Sequence, residues 1–333
     1  MADDPKVRLK TVTRTQGANR ALKDGSVQPR RATFEFEEVP VLVHAFRRMV
    51  RQLEFDVCEM ALTTYLCAKA YGVRMTALPV FLVRGFHHGA VVRRPDGPVR
   101  EPADLAGTRV GVNRGYTVTT GVWARAILAE EHGVDLERIT WVVSDDDHVE
   151  AYRPPGNVER MEPGRALDEL LDAGALSAVV GVTAHPPATE SLVPEPEEAG
   201  FRALAQRGFY PINHTIVVRD ELLDEDPGLG ADLFEAFAEA KQRYVEQLRR
   251  SPEQGASVNG TSEGDGRSEG AAGQDFMYRR VMEITGGDPL PYGIEPNAAM
   301  IEKLLDHALR QHILTERPSV DALFAPATRT LAG

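Results

Sequence analysis

The chain has 333 residues, 42% of them hydrophobic and 26% charged, the balance of a soluble globular protein and enough length for two lobes or one large α/β domain. A formal net charge of −12 argues against a nucleic-acid binder, which needs a basic stripe facing phosphates, and against an anionic membrane surface. No stretch approaches the roughly 20 apolar residues of a membrane span, and the polar start lacks the basic-then-apolar order of a secretory signal, so the expected location is the cytoplasm.

Along the chain, short β-branched runs alternate with helical patterns, the mark of parallel βαβ units. Val7–Thr13 reads as a strand, a polar loop follows, and Thr33–Val39 reads as a second strand. Apolar residues at 43, 46, 49, 50 and 53 have helical spacing. Phe55–Cys58 reads as a strand leading into Glu59 and a helix closed by Gly72, with Thr76–Val83 as the next strand. Cys58 and Cys67, nine residues apart in one apolar stretch, read as buried reduced thiols.

Phe86–Arg93 reads as a further strand, after which a second βαβ set begins at Arg109–Val112. It continues through Val118–Glu131, Ile139–Val143, Ala166–Leu171 and Ala178–Gly181. Asn213–Arg219 is a strand and Leu229–Arg249 a long helix. Residues 251–274 hold almost nothing apolar and read as a disordered surface insertion. Phe276–Thr285 and a final helix, Ala298–Gln311, complete the chain.

Ligands of doubly wound sheets bind beyond the carboxyl ends of strands, where helix N-termini converge. That rule selects Asn113 to Thr120, where free N–H groups, the hydroxyls of Thr117, Thr119 and Thr120, and Arg114 suit a carboxylate. It also selects Glu59, Thr63 and Thr64 after the earlier strand, with Glu59 as helix cap, proton carrier or phenol acceptor. His87 and His88 on one strand would point to opposite faces, so one of them joins His214 in the cleft. The Asp145-Asp146-Asp147-His148 run reads as a solvated loop. No HxH or HExxH spacing supports a preformed metal site, although the histidines with Glu59 leave a divalent ion as an alternative.

Four stretches carry a resemblance: Phe86-His87-His88-Gly89-Ala90, Arg114 to Arg125, Tyr210-Pro211-Ile212-Asn213-His214, and Gly287-Asp288-Pro289-Leu290-Pro291-Tyr292-Gly293-Ile294. Together they resemble the 4,5-dihydroxyphthalate decarboxylase family, itself related to the substrate-binding proteins of ABC transporters. The resemblance implies an α/β fold of the type II periplasmic-binding-protein kind, two doubly wound lobes joined by two crossover strands. Residues 1–85 and 218–333 would form one lobe and 86–217 the other, with Phe86–Arg93 and Asn213–Arg219 as crossovers.

It implies a decarboxylase that converts 4,5-dihydroxyphthalate to protocatechuate and carbon dioxide, and because no thiamin, pyridoxal or flavin motif is visible and the phenol can serve as electron sink, no cofactor is expected. A catalytic set of His214, His87, His88 and Glu59 would act on a carboxylate held by Arg114, Tyr116, Thr117, Thr119, Thr120, Thr63, Asn213, Tyr210 and His185. The expected partner is a small aromatic carboxylate, with no nucleic acid and no membrane, and a homo-oligomer is left open. The competing readings are a solute-binding protein that captures a small carboxylate unchanged, and an enzyme acting on another hydroxylated aromatic or heteroaromatic acid.

Overall fold

The computed structural model describes residues 6–185, 187–250 and 268–333. Its strands, in chain order, are β1 (Val7–Val12), β2 (Ala32–Phe36), β3 (Val57–Ala61), β4 (Met75–Arg84), β5 (Val91–Arg93), β6 (Arg109–Val112), β7 (Thr140–Val143), β8 (Val158–Arg160), β9 (Ala178–Val180), β10 (Glu190–Ser191) and β11 (Ile212–Arg219). They make two sheets, ordered β2-β1-β3-β11-β4 and β10-β5-β9-β6-β7-β8. Within the first, β1 runs parallel to β2 and β3, whereas β11 returns antiparallel between β3 and β4. In the second, β6 to β9 are parallel and β5 and β10 form an antiparallel edge. Two twisted α/β layers of this kind are the expected binding-protein architecture.

Helices α1 (Arg20–Lys23), α2 (Leu42–Gln52) and α3 (Leu62–Ala70) cover the first sheet's segments; α4 (Thr119–His132), α5 (Leu167–Asp172) and α6 (Pro196–Arg207) belong to the second. After β11 come α7 (Asp220–Glu225), α8 (Leu229–Arg250), α9 (Ser268–Thr285), α10 (Ala298–Arg310) and α11 (Val320–Leu323). In α2 the buried positions Ala45, Phe46, Met49 and Val50 form one stripe, so its amphipathic spacing seats it on the sheet. Gly133, at φ 64°, supplies the left-handed residue that ends α4.

Four expectations need correction. Glu59 does not open a helix: β3 runs on to Ala61, and α3 starts at Leu62. Residues 86–90 are not strand, because β4 already extends to Arg84 and the chain turns before β5, so the alternation argument for His87 and His88 lapses. The insertion read over 251–274 ends earlier, since α9 begins at Ser268; residues 251–267 lie outside the described residues. Asp147 and His148 are not a solvated loop, as His148 is buried and Asp147 is tied to Thr117.

Side-chain contacts tie helices near the C-terminus to those that follow β6. Helix α10 lies along α4: His307 and Lys303 reach Glu130, and the buried Arg125 donates through Nε to Gln311 Oε1 at 2.7 Å. Gln311 in turn donates to the Val122 carbonyl, and Trp123 Nε1 to the Ile212 carbonyl at the foot of β11. A guanidinium this deep loses much hydration; its bonds to Gln311 and to the Tyr116 carbonyl at 2.6 Å, with its stacking on the Tyr116 ring 3.9 Å from the centre, offset part of that loss, while Nη1 has no hydrogen-bond partner among the described residues. Among the described residues no helix is long and apolar enough to cross a membrane.

Candidate active site

Strand β3 reads Val-Cys-Glu-Met-Ala and is buried at every position, the pattern of a central strand covered on both faces. A carboxylate in such a place needs partners, because an unpaired buried charge costs several kcal/mol. Glu59 finds two. Its Oε1 meets His214 Nδ1 at 2.7 Å and its Oε2 accepts the Arg14 backbone N–H at 2.9 Å. The register explains the first contact: Ile216 lies directly opposite Glu59, and His214, two residues along β11, shares that face. Burial pushes the Glu59 carboxyl up, but the His214 hydrogen bond and charge, with Arg14, outweigh it and hold the group below its ordinary value.

The loop after β1 completes this corner. Asn19 ties it down by donating to Thr13 Oγ1 and the Arg14 carbonyl and accepting from the Gln16 N–H. Gln16 is buried in the same loop, and its Nε2 has no hydrogen-bond partner among the described residues. Arg14 and Gln16 escaped the sequence reading, although the rule that pointed to residues after β3 and β6 applies equally to β1.

A second group closes against the first from the other sheet. Thr63, in the first turn of α3, donates through its hydroxyl to the Thr117 carbonyl at 2.6 Å, and its N–H donates to Thr119 Oγ1. The two hydroxyls lie 2.8 Å apart. Two helix N-termini, those of α3 and α4, therefore meet, and both favour negative charge. Asp147 Oδ1 fixes the loop before α4 by accepting the Thr117 N–H and hydroxyl, each at 2.7 Å. Gly115 is required there, because a Cβ would stand 2.9 Å from the Asp147 Cα. Arg114 adopts φ 74° and donates its N–H to Ser144 Oγ, half-buried beside this loop.

His148 links the two groups. Its Nδ1 lies 3.2 Å from Thr64 Oγ1, and Phe46 stands edge-on to both His148 and His214, at 6.1 and 5.3 Å between ring centres. Burial, with Arg47 and Arg114 nearby, lowers the His148 ring from 6.5 to about 4, so it is neutral in the fold. This stability is complete above about pH 6.5 and falls as the unfolded chain takes up a proton, by about 3 kcal/mol on reaching pH 4. Urea unfolding across that range should show the slope in the parent chain and a flatter dependence in His148→Gln; parallel curves would contradict the assignment.

The remaining expected residues separate. His87 Nε2 meets Asn213 Oδ1 at 2.9 Å, and Asn213 is the residue before His214 on β11. His88 is directed elsewhere, to Glu131 at the end of α4, a carboxylate shared with Arg207. Tyr116 lies under Arg125 in the core, and Tyr210 is buried under the Arg84 guanidinium, 4.2 Å from its ring centre. Thr120 is buried in the first turn of α4, and His185 is exposed on the turn before β10. Among the described residues no group of three or more His, Cys, Asp or Glu is arranged to hold a metal ion. An open cavity of about 400 Å³ lies against the Asp147 loop, lined by Arg51, Asp145, Asp146, Asp147, Tyr152 and Arg160. The groups around His214 do not line it.

No protein-family model matches the chain. It is 29% identical over 305 residues to a 4,5-dihydroxyphthalate decarboxylase of Comamonas testosteroni, a match covering 85% of this chain and 86% of the relative. A protein of the same description from Pseudomonas putida is 34% identical over 144 residues, which spans 41% of this chain and 55% of that one. Among solved structures, the periplasmic aliphatic sulphonate binding protein SsuA from Escherichia coli aligns over 98% of this chain and 100% of its own, with TM-score 0.52 and 10% identity. The desulfurization enzyme DSZB aligns over 97% of each chain with TM-score 0.51 and 14% identity. These two share the fold.

Proposed function

We propose that this relative of the 4,5-dihydroxyphthalate decarboxylases is itself a decarboxylase, removing one carboxyl group from a hydroxylated aromatic acid, with 4,5-dihydroxyphthalate as the leading substrate. The observation that carries the reading is the buried His214–Glu59 pair set against two facing helix N-termini. A carboxylate beside the imidazole favours its protonated form, and a positioned imidazolium is the natural proton donor near neutral pH. The helix starts at Thr63 and Thr119 suit the carboxylate that stays.

The chemistry asks for little more. The proton moves from His214 Nε2 to the ring carbon that carries the departing carboxylate, while the hydroxyl para to it takes on carbonyl character. The C–C bond then breaks, its electron pair restores the aromatic ring, and carbon dioxide leaves. In this scheme the phenol is the electron sink, and no organic cofactor is required. Both Glu59 oxygens are engaged by His214 and Arg14, so Glu59 acts as a positioning residue. His87 pairs with Asn213, the residue before His214 on β11.

Incubation with 4,5-dihydroxyphthalate should release carbon dioxide and protocatechuate, and continue in chelator. Tight binding of the acid with no carbon dioxide would overturn the reading in favour of a capture protein.

A further inference from the structure

Strand β4 is irregular where it passes His214. Pairing with β11 is regular from Met75 to Leu78, but by Val83, opposite His214, the register has shifted. Pro79 begins the shifted stretch and has no N–H to give to the ladder, while its carbonyl accepts the Gly293 N–H at 2.8 Å. Thr215, next to His214, donates its hydroxyl to the Leu78 carbonyl at 2.8 Å. The bulge is thus a socket for residues 288–293, the proline-rich segment near the C-terminus.

Gly293 must be glycine there, with φ 104° and a Cβ position only 2.5 Å from the Leu331 carbonyl oxygen. Tyr292 is locked on the other side by an N–H bond to the Gly333 carbonyl and lies beneath Lys241, which pairs with Asp288. This much anchoring ends in an unsatisfied group. Tyr292 is fully buried, yet its hydroxyl has no hydrogen-bond partner among the described residues. An orphaned buried hydroxyl is costly and calls for an explanation. Burial, together with nearby Tyr278, Asp288 and Glu59, pushes the phenol well up, so it remains a protonated donor at working pH.

Resting on the decarboxylase reading, we propose that the Tyr292 hydroxyl reads the ring hydroxyl of the substrate, donating to the oxygen that gains carbonyl character as the ring carbon is protonated. This makes Tyr292 a specificity residue for hydroxylated over unsubstituted aromatic diacids. The partner that the folded chain lacks is supplied by the ligand.

Tyr292→Phe removes only the hydroxyl, so folding is preserved, and its urea midpoint should equal or exceed that of the parent chain. Calorimetric binding of 4,5-dihydroxyphthalate should weaken by roughly 10- to 100-fold, while phthalate, which has no ring hydroxyl, binds both proteins alike. Equal effects on the two acids, or no effect on either, would overturn the assignment, as would a parent chain that does not distinguish them. The two readings fail separately. Selective loss of the hydroxylated acid without carbon dioxide release from the parent keeps Tyr292 and removes the decarboxylase. Release with unchanged KM and kcat in Tyr292→Phe does the reverse.

Discussion

Replacing His214 with Gln should lower carbon dioxide release by about 10²- to 10⁴-fold, the usual contribution of a positioned general acid, with little change in substrate binding. Gln keeps a polar group against Glu59 Oε1 but carries no proton that can be transferred near neutral pH. The loss should therefore appear in kcat, because the interaction removed is made only as the ring carbon is protonated. His87 and Asn213 should tolerate similar changes better, since they hydrogen-bond one another and Asn213 is only the chain neighbour of His214. A His214→Gln protein that keeps turnover within about tenfold of the parent would remove this histidine from the proton transfer.

Glu59→Gln should have the second large effect, and on two quantities at once. Glu59 is fully buried, and an uncharged amide cannot accept from both His214 and the Arg14 N–H without turning its own NH₂ toward one of them. Breaking a buried pair of this kind costs about 3–5 kcal/mol. Loss of the carboxylate also lowers the proton affinity of His214, so the alkaline limb of the rate profile should move to lower pH. The stability change has the opposite pH sense. The Glu59 carboxyl is held below 4.5 in the fold, so its contribution is complete above about pH 4.5 and is lost as pH falls through the lowered value. The Gln variant lacks that acid-side loss. Because the two residues act as a unit, adding Glu59→Gln to His214→Gln should cost little further activity. Additive losses would separate their roles, and an unmoved rate profile would show that Glu59 does not set the charge of His214.

Much of the fold is legible because local patterns carry it. The apolar stripe of α2 and the strand at Asn213–Arg219 are set by side-chain periodicity, which a single segment displays without its neighbours. The threonine-rich start of α4 is legible for another reason, its place between a strand end and a helix start. What stayed hidden depends on distant partners. Glu59 looks like the end of a strand because a charge in a central strand is rare, and its partner is 155 residues away. Asp147 and His148 look like solvent-facing polar residues until Thr117 and Thr64 are brought over them. His88 resembles a site residue by adjacency to His87, but the turn at 86–90 sends it to Glu131. Tyr292 sits in a run whose prolines favour backbone restraint and leave a closing role over a ligand open, and the bulge in β4 that seats it is not visible in the run itself.

The hydroxyl contact between Thr63 and Thr119 has a consequence for selectivity. At rest the two helix starts already satisfy one another, so an uncharged guest would merely exchange one neutral bond for another and gain almost nothing. An anion gains more, because it alone benefits from the aligned peptide dipoles behind both threonines. An ester or amide of an otherwise perfect ligand should thus be turned away at this gate on grounds of charge, before the shape of its ring is ever sampled.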